Sequence, residues 1–149
     1  MSPNGLWTEL STGIINMLNT LSTVDNSIAI FDYAKFNKSG YPAIEVTPNG
    51  GPAIFADTMR NQRSYIFNID CFQERTSVGA QQAEIIMRNL VDSVIQLFDS
   101  NRYLDSVNGQ GRLIGRGYVK PIPSTWKYVG TEQPDVRMAT ILLECVVIQ

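Results

Sequence analysis

Histidine is absent from all 149 residues of the chain. That removes the usual general base, the usual activator of a serine or cysteine nucleophile, and the commonest metal ligand. Neither a Ser–His–Asp nor a Cys–His apparatus can be built. Cysteine is almost absent as well. Cys71 and Cys145 are too few and too far apart for a disulfide framework or a zinc site, and they read as two buried thiols on strands. No apolar run is long enough to span a bilayer, and no charged start leads into an apolar signal core. The chain is therefore expected to be made and used without crossing a membrane. Charge is scarce too, at 17% of residues against the roughly 25% of typical soluble domains. That scarcity fits either surface hidden against partners or a surface rich in Ser, Asn, Thr and Gln.

What charge there is lies unevenly. The net charge of −2 makes no general case for nucleic-acid binding. Residues 1–34, however, contain Glu9, Asp25 and Asp32 and no Lys or Arg, whereas residues 101–130 contain Arg102, Arg112, Arg116, Lys120 and Lys127 against Asp105 alone. The length suits a single domain, 1–149, able to bury about two-thirds of its unfolded surface.

Periodicity supplies the elements. After Ser2-Pro3, a cap and a first-turn proline, Leu6, Trp7, Leu10, Ile14, Met17, Leu18 and Leu21 predict an amphipathic helix over 4–23. "SIAIFDYAK" (27–35) and "YPAIEVTP" (41–48) read as strands, the second demoted towards an edge by Pro42, and "NGGP" (49–52) as a turn. "AIFADTMRNQ" (53–62) reads as a strand or an ordered loop. "RSYIFNIDCFQ" (63–73) is the clearest strand, with Tyr65, Phe67, Ile69 and Cys71 on one face and Asn68 and Asp70 on the other. Thr76-Ser77 is expected to cap a helix over 78–100, whose core face is Ala83, Met87, Leu90, Val94 and Leu97/Phe98 and whose outer face carries a Glu84–Arg88–Asp92 ladder. A strand from Arg112 to Ile122, ended by "PIPS", and a last strand with Ala139, Ile141, Leu143, Cys145 and Val147 inward complete the chain. The expected class is α+β: two main helices on a mostly antiparallel sheet of about four to six strands.

"GQGRLIGRG" (109–117) has the glycine spacing of some dinucleotide-binding loops. Such a loop needs a strand before its glycines and a helix after them, because the helix N-terminus holds the pyrophosphate. Here a helix precedes, and "RLIGRGYVKPIP" is a poor helix former, so no cofactor is implied. Alternation explains the glycines better. Leu113, Gly115, Gly117 and Val119 would share an inner face where a neighbour, plausibly a helix, packs close. Arg112, Ile114, Arg116, Tyr118 and Lys120 would share the outer one, facing solvent, an acidic partner subunit or passing nucleic acid. Asp57, Asp70 and Glu74 suit ion pairs with Arg60, Arg63 or Arg75 better than paired-acid catalysis, which needs one raised pKa in a pocket.

Residues 56–98, "ADTMRNQRSYIFNIDCFQERTSVGAQQAEIIMRNLVDSVIQLF", carry a resemblance. Asp57-Thr58, then Asn61 and Arg63 before the Tyr65/Phe67 strand, then Glu74-Arg75 leading into a long amphipathic helix, resemble the tail terminator (tail-completion) proteins of long-tailed bacteriophages. The order of elements is similar over most of the chain, while the specific part is confined to 57–98. The resemblance implies a structural protein without catalytic or metal residues. It implies a homo-oligomeric ring, hexameric in the family, at the virion's head–tail junction, synthesised in the host cytoplasm. Such a ring caps the finished tail tube, stops its polymerisation, meets the head–tail connector and lets genomic DNA through its lumen without specific binding. Family members vary strongly in sequence, so no individual residue carries over as a contact. Read from charge alone, Glu9, Asp25 and Asp32 are candidates for one side of a subunit interface, and Arg112, Arg116 and Lys120 for the other side or the lumen. A head-completion or neck protein, a small nucleic-acid-binding module and, disfavoured by the missing histidine, a small hydrolase are the rival classes.

Overall fold

In the computed structural model the described residues are 6–25, 28–33, 41–50, 53–55, 61–76, 78–102, 117–129 and 136–148. They form α1 (Leu6–Asp25), β1 (Ala29–Phe31), β2 (Ala43–Gly50), β3 (Ala53–Phe55), β4 (Asn61–Glu74), α2 (Ala80–Ser100), β5 (Gly117–Val129) and β6 (Val136–Ile148). The sheet runs β1-β2-β4-β6-β5, with β3 also paired to β4. Only β1–β2 is parallel; every other pairing is antiparallel. The α+β class and the two helices stand as the pattern predicts; α1 is described over Leu6–Asp25 where 4–23 is expected, and α2 starts two residues late but ends at Ser100 as expected.

Strand alternation decides where the core sits. Phe67, Ile69 and Cys71 of β4 lie opposite Leu143, Ile141 and Ala139 of β6, all 0–1% exposed. Leu10, Ile14, Met17 and Leu18 of α1 and Met87, Leu90, Val94 and Phe98 of α2 join them in one cluster. Each Phe, Ile, Leu, Met or Val side chain among them, fully buried, contributes about 1.5–3 kcal/mol. The Trp7 ring stands edge-on to Tyr65 at 4.9 Å and Phe67 at 5.2 Å, which fixes α1 to the same face of β4 that α2 covers. The opposite face is polar along its middle. Thr140 donates to the Asp70 carboxylate at 2.6 Å, and Asn49 donates to Asn68 at 2.9 Å.

Five local expectations are corrected. Pro42 does not put its strand at an edge, because it precedes the first ladder residue; β2 lies between β1 and β4, and the Pro42 carbonyl accepts the Ala29 amide at 3.1 Å. Asn49 and Gly50 continue β2 through an irregularity instead of turning. Helix α2 is not capped by Thr76-Ser77. Its N-cap is Gly79, at φ +88°, with no side-chain cap, while the Thr76 hydroxyl donates to the Glu74 carboxylate. "PIPS" does not end β5, because a register shift between Pro123 and Trp126 lets the strand resume to Val129. And the neighbour that Gly117 admits is not a helix but β6, since a Cβ there would run into the Val146 carbonyl. The Ser2-Pro3 cap, residues 4–5 of the expected first helix, and residues 27, 34–35, 51–52, 56–60 and 112–116 of the expected strands and turn lie outside the described residues.

Both thiols sit in this core, and burial holds each protonated: Cys71, beside Asp70, is pushed up to about 12, and Cys145, beside Glu144, is raised still further. A folded pKa above the ordinary 9.0 means the unfolded state loses its thiol protons first. Stability from these groups is therefore complete below pH 9 and is lost as pH rises from there through about 12. Native protein at pH 8 should take up no thiol reagent over minutes, and two equivalents after denaturation. Rapid native labelling would place the thiols outside the core.

Candidate interaction surface

The strand β5 forms one edge of the sheet, and most of its length is exposed: Tyr118, Lys120 and every residue from Ile122 to Val129. Only Val119 is buried. Four large apolar side chains on the strand's outer half, Ile122, Trp126, Tyr128 and Val129, are 39–46% exposed. By register Trp126 and Tyr128 share one face of the sheet and Ile122 and Val129 the other, so the edge strand carries exposed apolar side chains on both faces.

Arginines organise that surface. Trp126 and Tyr128 pair in register with Ala139 and Arg137, which puts their rings on the helix side of the sheet. The Arg137 guanidinium lies 5.1 Å from the Trp126 ring centre and 4.7 Å from that of Tyr128. It simultaneously donates to both oxygens of Glu84 in α2, through Nε at 2.9 Å and an Nη at 3.1 Å. A second cation, Arg75 at the end of β4, lies 5.0 Å from Tyr128. The planar guanidinium permits this double use, one edge forked onto a carboxylate and one face stacked on rings. The Glu84–Arg88 part of the expected helix ladder is present but loose, at 3.9 Å. Gln73, cross-strand from Arg137, is 2% exposed; its amide donates to the Glu74 carbonyl at 2.9 Å.

Lower on β5, a shallow cavity of about 250 Å³ opens between Asp99, Arg102, Tyr118, Val119 and Lys120. The Lys120 ammonium stands 3.9 Å from Glu144, an exposed pair of little energetic consequence. At the other end of the sheet, burial and the Glu74 and Glu45 carboxylates raise the Tyr41 hydroxyl pKa. No three acidic or cysteine side chains among the described residues gather closely enough to hold a metal ion. No described helix is long and apolar enough to cross a membrane.

The charge candidates fall on opposite sides. Lys120 lies on β5, one edge of the sheet; Asp32 follows β1, the other edge, and is exposed; Glu9 is half-buried on α1, which packs on β1 and β2. Asp25 is the last residue of α1, its side chain outside the described set, as are Arg112 and Arg116 entirely. The Trp126–Tyr128–Arg137–Glu84 cluster was missed by sequence reasoning. Its signal, the alternation in "STWKYV", was hidden by reading "PIPS" as a terminator.

No protein-family model and no curated protein sequence matches the chain. Among solved structures, it is similar to a chain of the virion of a native gene transfer agent particle, with a TM-score of 0.54 and 16% identity, covering 94% of this chain and 95% of that one. At that identity the likeness establishes a shared fold.

The Arg137 fork is the structural tie between β6 and α2, and a lysine cannot reproduce its geometry. Arg137→Ala should cost about 1.5–3 kcal/mol in chemical denaturation, the range for hydrogen bonds to charged groups. Arg137→Lys should recover less than half. Full recovery by lysine would reduce the fork to a simple charge pair.

Proposed function

We propose that the chain is a structural component of a phage-like particle, with no reaction of its own, that assembles as a ring on the end of a tail tube. In that role it would stop tube growth and present the surface that joins the head. The observation that carries the reading is the likeness, end to end over both chains, to a protein of a gene transfer agent virion. Covering 94% of one chain and 95% of the other, it concerns the whole fold and not a shared fragment. The resemblance of residues 57–98 to tail terminators supports that place within such a particle.

Two features of the fold support ring assembly in particular. A ring needs heterologous contacts, in which one patch of a subunit meets a different patch of the next. Asp32, from the cation-free residues 1–34, follows one edge strand of the sheet, and Lys120 and Lys127 lie on the other, so acid and base are separated as such a contact requires. The exposed apolar stretch of β5 supplies surface that a neighbour would bury.

The reading is tested with purified protein and purified tail tubes. Negative-stain images should show an annulus at the end of the tube, and added protein should halt tube elongation. Binding to the head's portal side with none to the tube would replace the terminator reading with that of a head-completion protein. Charge reversal at Arg112 and Arg116 should weaken the ring in light scattering, and an unchanged ring would remove those two residues from the interface.

A further inference from the structure

The outer edge of β5 is closed along one half and open along the other. Val119 sits opposite Cys145 in the β5–β6 ladder, yet its amide points away from β6 and donates to the Arg102 carbonyl at 2.6 Å. Alternation repeats that outward direction at positions 121 and 123, and both are proline, with no N–H to offer. From Val119 to Pro123 the edge therefore presents no free donor, which is how edge strands are kept from pairing. The register shift after Pro123 adds one residue, so that Trp126 again faces Ala139, the same phase of β6 as Cys145. The amides and carbonyls of Trp126 and Tyr128 thus point outward, away from β6, with their side chains 39% and 46% exposed. Among the described residues no strand pairs with this edge.

We propose that the outer edge of Trp126–Val129 pairs, backbone to backbone, with the β1 edge of a second copy of this chain. This specifies the contact within the ring reading and rests on it. Charge selects the occupant. Lys127 stands on the open edge strand, and Arg137 is held by Glu84. Residues 1–34 carry acids and no cation, and Asp32 is exposed immediately after β1. Both edges are also aromatic: Phe31 and Tyr33 form an edge-on pair 6.0 Å apart beside β1, with Tyr33 53% exposed. Pairing β5 with the β5 of another copy would instead bring Lys127 towards its own counterpart, a like-charge arrangement. Joining β5 to β1 uses two different edges, so a pair of copies leaves one β5 edge and one β1 edge for further copies and the contact propagates head to tail.

Proline at position 126 tests the backbone directly, because the amide it removes faces outward and makes no bond to β6. In sedimentation analysis of the full chain, Trp126→Pro should weaken self-association about tenfold or more, as loss of one backbone bond with its acceptor left unpaired implies. Its melting temperature should stay near that of the unaltered chain. Trp126→Val, which keeps the amide, should associate far better than the proline variant. Equal loss in both would assign the contact to the indole and overturn strand pairing. Cross-linking does not depend on the proline variant folding. A short bis-maleimide should join Tyr33→Cys protein to Val129→Cys protein, and a chain carrying both changes should give a ladder of multimers. Cross-links of Val129→Cys protein to itself alone would show β5–β5 pairing and overturn the proposal, as would a chain that stays monomeric at every concentration. Either result leaves the tube-capping test to be decided on its own.

Discussion

The ladder between β4 and β6 runs residue for residue from Gln62↔Ile148 to Glu74↔Val136 without a bulge. Its unbroken register means that one alternation rule holds along the whole length of the sheet's two central strands. A slip of a single residue would turn Phe67, Ile69, Leu143 and Ile141 away from the helices and leave Asp70 and Thr140 in the core. The buried cluster, the attachment of both helices and the polar opposite face all follow from that register. So does the position of Arg137. It lies near the end of the inward-facing row, where the apolar sequence of β6 gives out and a charge can reach Glu84 on α2 without being sealed from water.

From the ladder outward, regularity falls on both sides. On one side β2 is irregular after Pro48 and β1 is only three residues long; on the other, β5 carries a bulge and two prolines. The fold thus concentrates its stability in the centre and its surface specialisation at the edges. Asp32 follows one of those edge strands and Lys120 and Lys127 lie on the other, separated by the breadth of the sheet. A chain with this distribution has little opportunity to pair its opposite charges internally across the molecule. The same distribution suits pairing with a neighbour.

Much of this was legible in the sequence because burial imposes period. The inward faces of β4, β6 and α2 appear as uninterrupted apolar alternation or helical spacing, and each was placed residue by residue. What failed were inferences from single punctuating residues. Pro42 was given the weight of an edge when it only precedes a strand. Thr76 was given a cap it does not make, since its hydroxyl turns back to Glu74. "PIPS" reads as a stop because a proline pair normally ends pairing, but proline forbids only the bond that its own missing amide would make. On an edge strand half the amides have no ladder partner, and Pro121 and Pro123 occupy that half. The Arg137 cluster was hidden for a different reason. Its members come from β5, β6, α2 and, with Arg75, the end of β4, so no local pattern could bring them together.

The glycines of "GQGRLIGRG" show how one residue type can serve different physical needs. A phosphate loop uses glycine so that a ligand can approach backbone amides. Gly117 uses the same lack of a Cβ to let the β6 carbonyl at Val146 come close at the first residue of β5. That close approach starts an edge strand whose next outward amide is taken by Arg102 and whose following two are absent as prolines. Glycine, carbonyl and proline therefore act in sequence along about seven residues to hold β5 against β6 while denying its edge to casual partners. Only beyond the bulge, where Trp126 and Tyr128 are braced by arginines, does the edge regain donors. A strand protected over one half and equipped over the other is more specific than one left open throughout, since a partner must match the position of the opening as well as its chemistry.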